Sequence, residues 1–317
     1  MKPRINPILS TDDPLLTPEE IVELIEQADA LRHTRAHGRE VFLRHPGDAR
    51  SAHFGQGLDF EEVRAYQAGD DIRNMDWRTT ARTGEPYLKV FREEHHPALH
   101  IVVDRGAGMR FGTTRQLKAA QAARVAILAA VLESSAFACV GGTMIESGLE
   151  NTALTLPCMT KQAGILQLAQ AAAAPCPPRT PDSTQEHQTW IDALRRIAAT
   201  LPNGSRLLIC SDFRWLAVDD VPLLAHLALR HDIACVHITD PVEHDLPALG
   251  RASFYDLTTQ RLRWVDTGKR EVRERFSLAA SARHSKIENR LRQIDIAYFA
   301  LSTGSDPMQL FLAGLDD

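Results

Sequence analysis

Residues 99–109 read LHIVVDRGAGM. Leu99 to Val103 is a short apolar run of the length that a fully buried strand needs. Asp104 follows at once, and then the glycine-bearing turn Arg105-Gly106-Ala107-Gly108. A buried strand that delivers an acid and a small-residue turn to its carboxyl end is how open α/β sheets build sites. The run sets two expectations: a sheet of buried strands, and a site around Asp104. The stretch just before it is dense in charge. Asp59, Glu61, Glu62, Arg64, Asp70, Asp71, Arg73, Asp76, Arg78 and Arg82 crowd around Tyr66 and Trp77.

Working outward, Phe137–Ile145, Ala153–Leu156, Arg206–Cys210, Ile233–Thr239 and Ile296–Leu301 read as further strands. Helical patterns separate them at Thr114–Glu133, Lys161–Ala174, Trp190–Leu201, Val221–Arg230 and Glu271–Asp295. Strand-helix alternation predicts a doubly wound, mainly parallel sheet with helices on both faces. Cys176–Glu186, rich in Pro, Thr, Asp and Ser, reads as a loop. Phe254–Val265 reads as an edge hairpin and Met308–Leu315 as a terminal helix. On the other side of the opening stretch, Thr17-Pro18-Glu19-Glu20 has the signature of a helix start: a capping Thr, a Pro at the first helical position, then acids. Tyr87–Phe91 alternates like a half-buried strand. The expected division is therefore 1–96, an N-terminal helix, basic segment and β-rich accessory region, and 97–317, the α/β domain.

Composition narrows the function classes. At 44% hydrophobic and 24% charged, the 317-residue chain is ordinary globular material. Its net charge of -5 argues against a dedicated nucleic-acid binder. The segment Leu31–Arg50 carries Arg32, Arg35, Arg39, Arg44 and Arg50 beside His33, His37 and His45. It reads first as a solvated linker and second as a patch for anions or acidic partners. Five cysteines, Cys139, Cys158, Cys176, Cys210 and Cys235, form no CxxC pair. They read as buried reduced thiols, which favours a reducing cytosol. Met1–Leu16 is broken by prolines and aspartates and does not read as a secretory signal. The longest strongly apolar run, Val125–Leu132, is far short of a bilayer span. A cytoplasmic protein without a membrane span is expected.

Gly55-Gln56-Gly57, Phe60, Arg64, Tyr66, Gly69-Asp70-Asp71, Arg73, Asp76-Trp77 and Ala81-Arg82 resemble the ordered signature of the bacterial domain-of-unknown-function 58 family. Asp59 and Met75 depart mildly from it. The resemblance continues through Asp104, Ser211-Asp212 and the segment YFALSTGSDP at 298–307. It implies a central sheet of von Willebrand factor A type. It also implies a non-enzymatic adaptor that partners a MoxR-type AAA+ ATPase and its protein client, in maturing or remodelling a protein complex.

The same resemblance raises a metal question. The adhesion-type motif is D-x-S-x-S after the first strand, a Thr from a later loop, and an Asp after the fourth strand. Asp104 and Asp212 match the two acids, but Gly106 and Gly108 stand where the serines should be. Ser183, Thr184 and Thr189 are only near the place of the Thr. Mg²⁺ wants near-octahedral oxygen ligands, and glycine supplies no side-chain oxygen. A degenerate site is expected: Asp104 and Asp212 close together, a shallow open cleft over the glycines, and at most weak Mg²⁺ held by the two acids. A nearby cation, Arg105 or Arg214 being closest in sequence, is expected to neutralise them. No resident cofactor is expected.

Other motifs weigh less. Asp70, Asp71, Arg73, Asp76, Trp77 and Arg82 could form a charged docking surface. The favoured reading is structural: most of them lock a loop in place around a buried Trp, and partial exposure leaves some free to bind. Glu93-Glu94-His95-His96 is not H-E-x-x-H, and adjacent histidines on an extended segment point to opposite sides. Ser211 lacks an assigned base, and no Gly-x-Ser-x-Gly elbow is present. The competing function is a metal-assisted hydrolase using Asp104 and Asp212.

Overall fold

The computed structural model describes residues 13–34, 62–67, 75–90, 97–146, 152–176, 183–256 and 261–312. The chain forms two compact units, residues 1–47 with 97–317, and residues 48–96. The N-terminal helix α1 (Pro18–Thr34) thus belongs to the larger unit, not to the accessory region as the sequence division had it. Its start is the expected capping box. Thr17 N–H donates to Glu20 Oε2 at 2.9 Å, and Glu20 N–H donates to Thr17 Oγ1 at 3.2 Å. Arg124 then pairs with Glu20 at 2.6 Å and ties the helix to the core.

In the smaller unit, β1 (Glu62–Ala65) pairs antiparallel with β2 (Tyr87–Val90), with Arg64 opposite Leu88. Between them lies α2 (Trp77–Thr83). Asp76 caps it, accepting from Arg78 N–H at 3.0 Å and Thr79 N–H at 3.2 Å. Gly84, at φ 79°, closes it in the left-handed region that glycine tolerates best.

In the larger unit, the chain continues through β3 (Ala98–Arg105), α3 (Lys118–Glu133), β4 (Cys139–Glu146), β5 (Thr152–Met159), α4 (Lys161–Ala173) and α5 (Ser183–Thr200). Then come β6 (Arg206–Ser211), α6 (Val221–Ala228), β7 (Asp232–Thr239) and α7 (Pro241–His244). The last elements are β8 (Arg251–Asp256), β9 (Arg261–Asp266), α8 (Arg270–Arg292), β10 (Ala297–Ser302) and α9 (Gln309–Leu312). The main sheet has the order β10-β7-β6-β3-β4-β5. Its strands are parallel except β5, which runs antiparallel along one edge. The expected mixed α/β architecture with a mostly parallel sheet is what forms. β8 and β9 make a separate hairpin.

Strand alternation builds two cores. Leu99, Ile101 and Val103 face α3 and α4, while Ala98 and Val102 face α5 and α6. On the second face Trp190 stacks on Trp215 with ring centroids 4.3 Å apart. Helix α3 is buried along almost its whole length, Ala-rich because sheet, α1 and α4 all press on it. Residues 118–136 are long and apolar enough to cross a membrane by length and composition alone. Here 83% of that window is inside the protein, where the helix serves as the central core element.

One expectation is overturned. Cys139 and Cys158 form a disulfide that joins β4 to the edge strand β5. Their strands read as separate runs in the sequence, and only antiparallel pairing brings the two sulfurs together. Cys176, Cys210 and Cys235 are the buried free thiols. Cysteine usage therefore gives no argument for a reducing compartment.

Candidate functional site

After β3 the chain moves to β4 on one side, and later returns to lay β6 on the other. This reversal makes a crevice at the carboxyl ends of β3 and β6, the place where open α/β sheets bind ligands. Asp104 lies at the end of β3, and Ser211-Asp212 at the end of β6. Val103 pairs with Cys210, so the register sets Asp104 beside Ser211. The two acids that the sequence singled out are thus brought together.

Asp104 is 3% exposed. Its Oδ1 accepts from Gly106 N–H at 2.8 Å, and its Oδ2 accepts from Ser211 Oγ at 2.5 Å. Burial pushes its carboxyl well above the usual range, and the charges of Asp212 and Glu186 push it further. The Ser211 hydroxyl in turn accepts from Phe213 N–H at 2.9 Å and from Trp215 Nε1–H at 3.2 Å. It is a hydroxyl fixed by three hydrogen bonds, and the carboxyl it touches is Asp104. Phe213 sits at φ 52°, which is rare for a non-glycine residue. Such a conformation costs on the order of 1–3 kcal/mol and persists where neighbours over-determine it. Here it turns the chain sharply just after Asp212.

Asp212 differs. Burial alone would raise its carboxyl, but Lys118 and Arg214 outweigh that and hold it below the usual range. Lys118 Nζ lies 2.9 Å from Asp212 Oδ2 and 2.7 Å from Glu243 Oε1. The lysine is 0% exposed and opens α3. Burial disfavours its charge, yet the two carboxylates more than restore it and raise its pKa. Glu243 is held by α7, where its Oε2 accepts from Asp240 N–H at 3.0 Å. Asp240 is itself locked, accepting from Thr113 N–H and Thr303 Oγ1, both at 2.8 Å, and from Val242 N–H at 3.1 Å.

The cation that neutralises Asp212 is therefore Lys118, assisted by the charge of exposed Arg214. Arg105, the other expected partner, points away. It caps the end of α4 through the carbonyls of Ala171, Ala174 and Pro175, and its Nε lies 3.4 Å from Glu146. The expected open cleft over the glycines is also absent. A Cβ on Gly106 would collide with Glu186 Oε1 and come within 2.9 Å of Asp104 Oδ1. One on Gly108 would collide with Asp212 Oδ2 and come within 3.2 Å of Arg214 Cδ. Carboxylates fill the space that serine side chains would need.

A Mg²⁺ site of adhesion type does not fit these residues. Two hydroxyl ligands are missing, and a buried ammonium already sits on Asp212. Each oxygen of Asp104 and Asp212 already accepts a hydrogen bond. Among the described residues no three His, Cys, Asp or Glu side chains are grouped to hold a metal. Thr189 gives its hydroxyl to Gln185 O at 2.8 Å. The side chains of Ser183 and Thr184 lie outside the described residues.

Of the signature residues, Asp70, Asp71 and Arg73 lie outside the described residues, as do Glu93-Glu94-His95-His96 and most of the basic segment. Asp76 is a helix cap. Trp77 is 67% exposed, so it does not lock a loop from inside; Arg82 is exposed too. Lys118, Glu186 and Glu243 escaped the sequence reading. Lys118 left one signal, a lysine at the head of an Ala-rich helix that is mainly apolar. Glu186 fell in a stretch read as loop, whereas α5 begins at Ser183 and presents it from the first turn.

Fold and site define an α/β protein with an acid-rich, lysine-neutralised crevice at the switch point of its sheet. Residues 62–286 match the family described as Protein of unknown function DUF58, and the chain belongs to that family. It is similar to the uncharacterized protein Rv1480 of Mycobacterium tuberculosis and to Mb1516 of Mycobacterium bovis. Each is 29% identical over 263 residues, covering 80% of this chain and 77% of the relative. Among solved structures it is similar to an aerotolerance-related membrane protein of Bacteroides fragilis. That match has a TM-score of 0.41 and 11% identity, over 68% of this chain and 96% of the other. BatB of Bacteroides thetaiotaomicron matches with a TM-score of 0.40 and 11% identity, over 69% and 96%. Likeness at this level carries no argument about function.

Proposed function

We propose that this chain is a non-enzymatic interaction module, with a sheet of von Willebrand factor A type, that partners a MoxR-type AAA+ ATPase in maturing or remodelling a protein complex. One observation carries the non-enzymatic part. Every polar side chain at the end of β3 and β6 is tied into an internal network. The one carboxyl that the Ser211 hydroxyl touches, Asp104, is held well above the ordinary range by burial and its acidic neighbours. That favours its protonated form, whereas a general base must be free to take a proton. The von Willebrand reading is supported by the position of Asp104 and Asp212 at the switch point. The ATPase and its client enter from the family resemblance alone. A cytoplasmic location, where such an ATPase finds its nucleotide, is part of the proposal.

The test is a pull-down of the chain with the MoxR-type ATPase of the same genome, run beside a phosphatase, nuclease and peptidase panel. Nucleotide-dependent capture with no turnover is expected. Robust turnover that is lost in Asp104→Ala, without ATPase contact, would instead favour a hydrolase.

A further inference from the structure

Three imidazoles converge beside the crevice from three different elements. His237 comes from β7, His244 from the end of α7, and His284 from the middle of α8. The rings of His244 and His284 lie 4.2 Å apart, and those of His237 and His284 5.0 Å apart. His237 Nδ1 shares a hydrogen bond with the Tyr298 hydroxyl at 2.7 Å, and His244 Nε2 one with Thr239 Oγ1 at 3.2 Å. His284 Nδ1 is buried with no hydrogen-bond partner. Phe213 stands edge-on to His237 at 5.7 Å.

We propose that His237, His244 and His284 form an acid-operated latch, which holds α8 against α7 and β7 through the packed rings and lets α8 go when His237 and His284 take up protons. The packing favours neutral imidazoles, because like charges at these ring distances repel. Asp212 alone favours an added proton on His237, and burial and the neighbouring His284 and Lys118 outweigh it. Facing the cluster are Lys118 from α3, Asp212 from the end of β6, Tyr298 from β10, and Arg283 on α8 itself, with Glu243 next in the chain to His244. Both acids in that set are already bound to Lys118. Burial lowers His237 to about 3, with His284 next in effect. Burial, then His244, Arg283 and Lys118, lowers His284 to about 4.

The sign follows from linkage. A histidine held below its ordinary 6.5 binds fewer protons folded than free. Closure is complete above about pH 6.5 and is lost as pH falls toward 4. Below the latch, Ile287 and Leu291 still anchor the end of α8 in the core, so the release concerns the middle of the helix. Release would also unseat α7, whose Glu243 shares Lys118 with Asp212.

Hydrogen exchange of peptides spanning 276–290, corrected for intrinsic rate, tests this between pH 7.5 and 4.5. Each proton taken up contributes about tenfold per pH unit to the opening equilibrium. We expect a rise of at least tenfold per unit below pH 6.5 in the wild type. In His284→Phe the slope falls by about one proton, and α5 serves as the internal control. Imidazole NMR titration of the wild type gives a second reading that needs no variant. Midpoints of His237 and His284 at least about one unit below 6.5 are expected. Ordinary midpoints near 6.5, or the same exchange slope in His284→Phe as in wild type, would overturn the latch.

Discussion

Both ends of the sheet bury a cation between two acids. At the carboxyl end Lys118 bridges Asp212 and Glu243. At the amino end Arg206 bridges Glu133, at 3.3 Å, and Asp232. The two cations are 0% and 1% exposed, and each keeps its charge because its acids outweigh burial. The ends differ in what surrounds the trio. Beside Asp212 stand two further carboxyls, Asp104 and Glu186, and Asp104 is driven upward by burial and by its acidic neighbours. The amino end is a closed clamp. The carboxyl end carries excess acid, and a fold keeps such imbalance at sites that bind.

The largest expected effect tests both clamps directly. Lys118→Met removes the charge that offsets Asp212 and Glu243 and should cost roughly 3–5 kcal/mol, the scale for breaking a buried pair. Urea denaturation of the single variant and of Lys118→Met with Asp212→Asn measures it, and the double variant should recover a large part. Arg206→Met should cost a similar amount, roughly 3–5 kcal/mol. Each cation holds one deeply buried acid, Asp212 at 7% and Glu133 at 0% exposure, and one that water reaches, Glu243 at 24% and Asp232 at 31%. A loss near zero at either end would break the comparison.

Next in size is a substitution that restores the missing serine. Gly106→Ser must displace Glu186 and should destabilise by about 1–3 kcal/mol, the usual cost of overpacking. A neutral or stabilised variant would show that the crevice is more open than described. Smaller still is Asp104→Asn, whose sign matters more than its size. Asp104 is raised above the ordinary 3.8 in the folded state, so the native protein holds the extra proton. Its contribution is present below about pH 4 and is lost as pH rises through the raised value. Asn cannot lose a proton, so the stability of Asp104→Asn relative to wild type should grow with pH. Thermal denaturation at several pH values reads this, and a constant difference would contradict it.

The contrast between the two ends also marks what the sequence could disclose. Leu99–Val103 and Arg206–Cys210 were legible because parallel strands buried on both faces read as unbroken apolar runs. Asp104 was legible because it follows such a run immediately, and Asp212, one residue beyond its run, because the family resemblance marks it. Lys118 was not, because nothing local says that a helix start will be aimed at a strand end 94 residues away. Glu186 was hidden because a Pro-, Thr- and Ser-rich lead masked the first turn of α5. The Cys139–Cys158 disulfide depended on β5 turning back antiparallel, a fact of topology that spacing does not carry.

The central claim is that Lys118, not a divalent ion, neutralises the acids at the switch point. Calorimetric titration of the wild type and of Asp104→Ala with Mg²⁺ and Mn²⁺ tests it most directly. The account predicts no saturable binding tighter than about millimolar in either protein, since Mg²⁺ needs short, near-ideal oxygen ligation that these residues do not offer. Tight binding in the wild type that disappears in Asp104→Ala would contradict it and restore a working metal site.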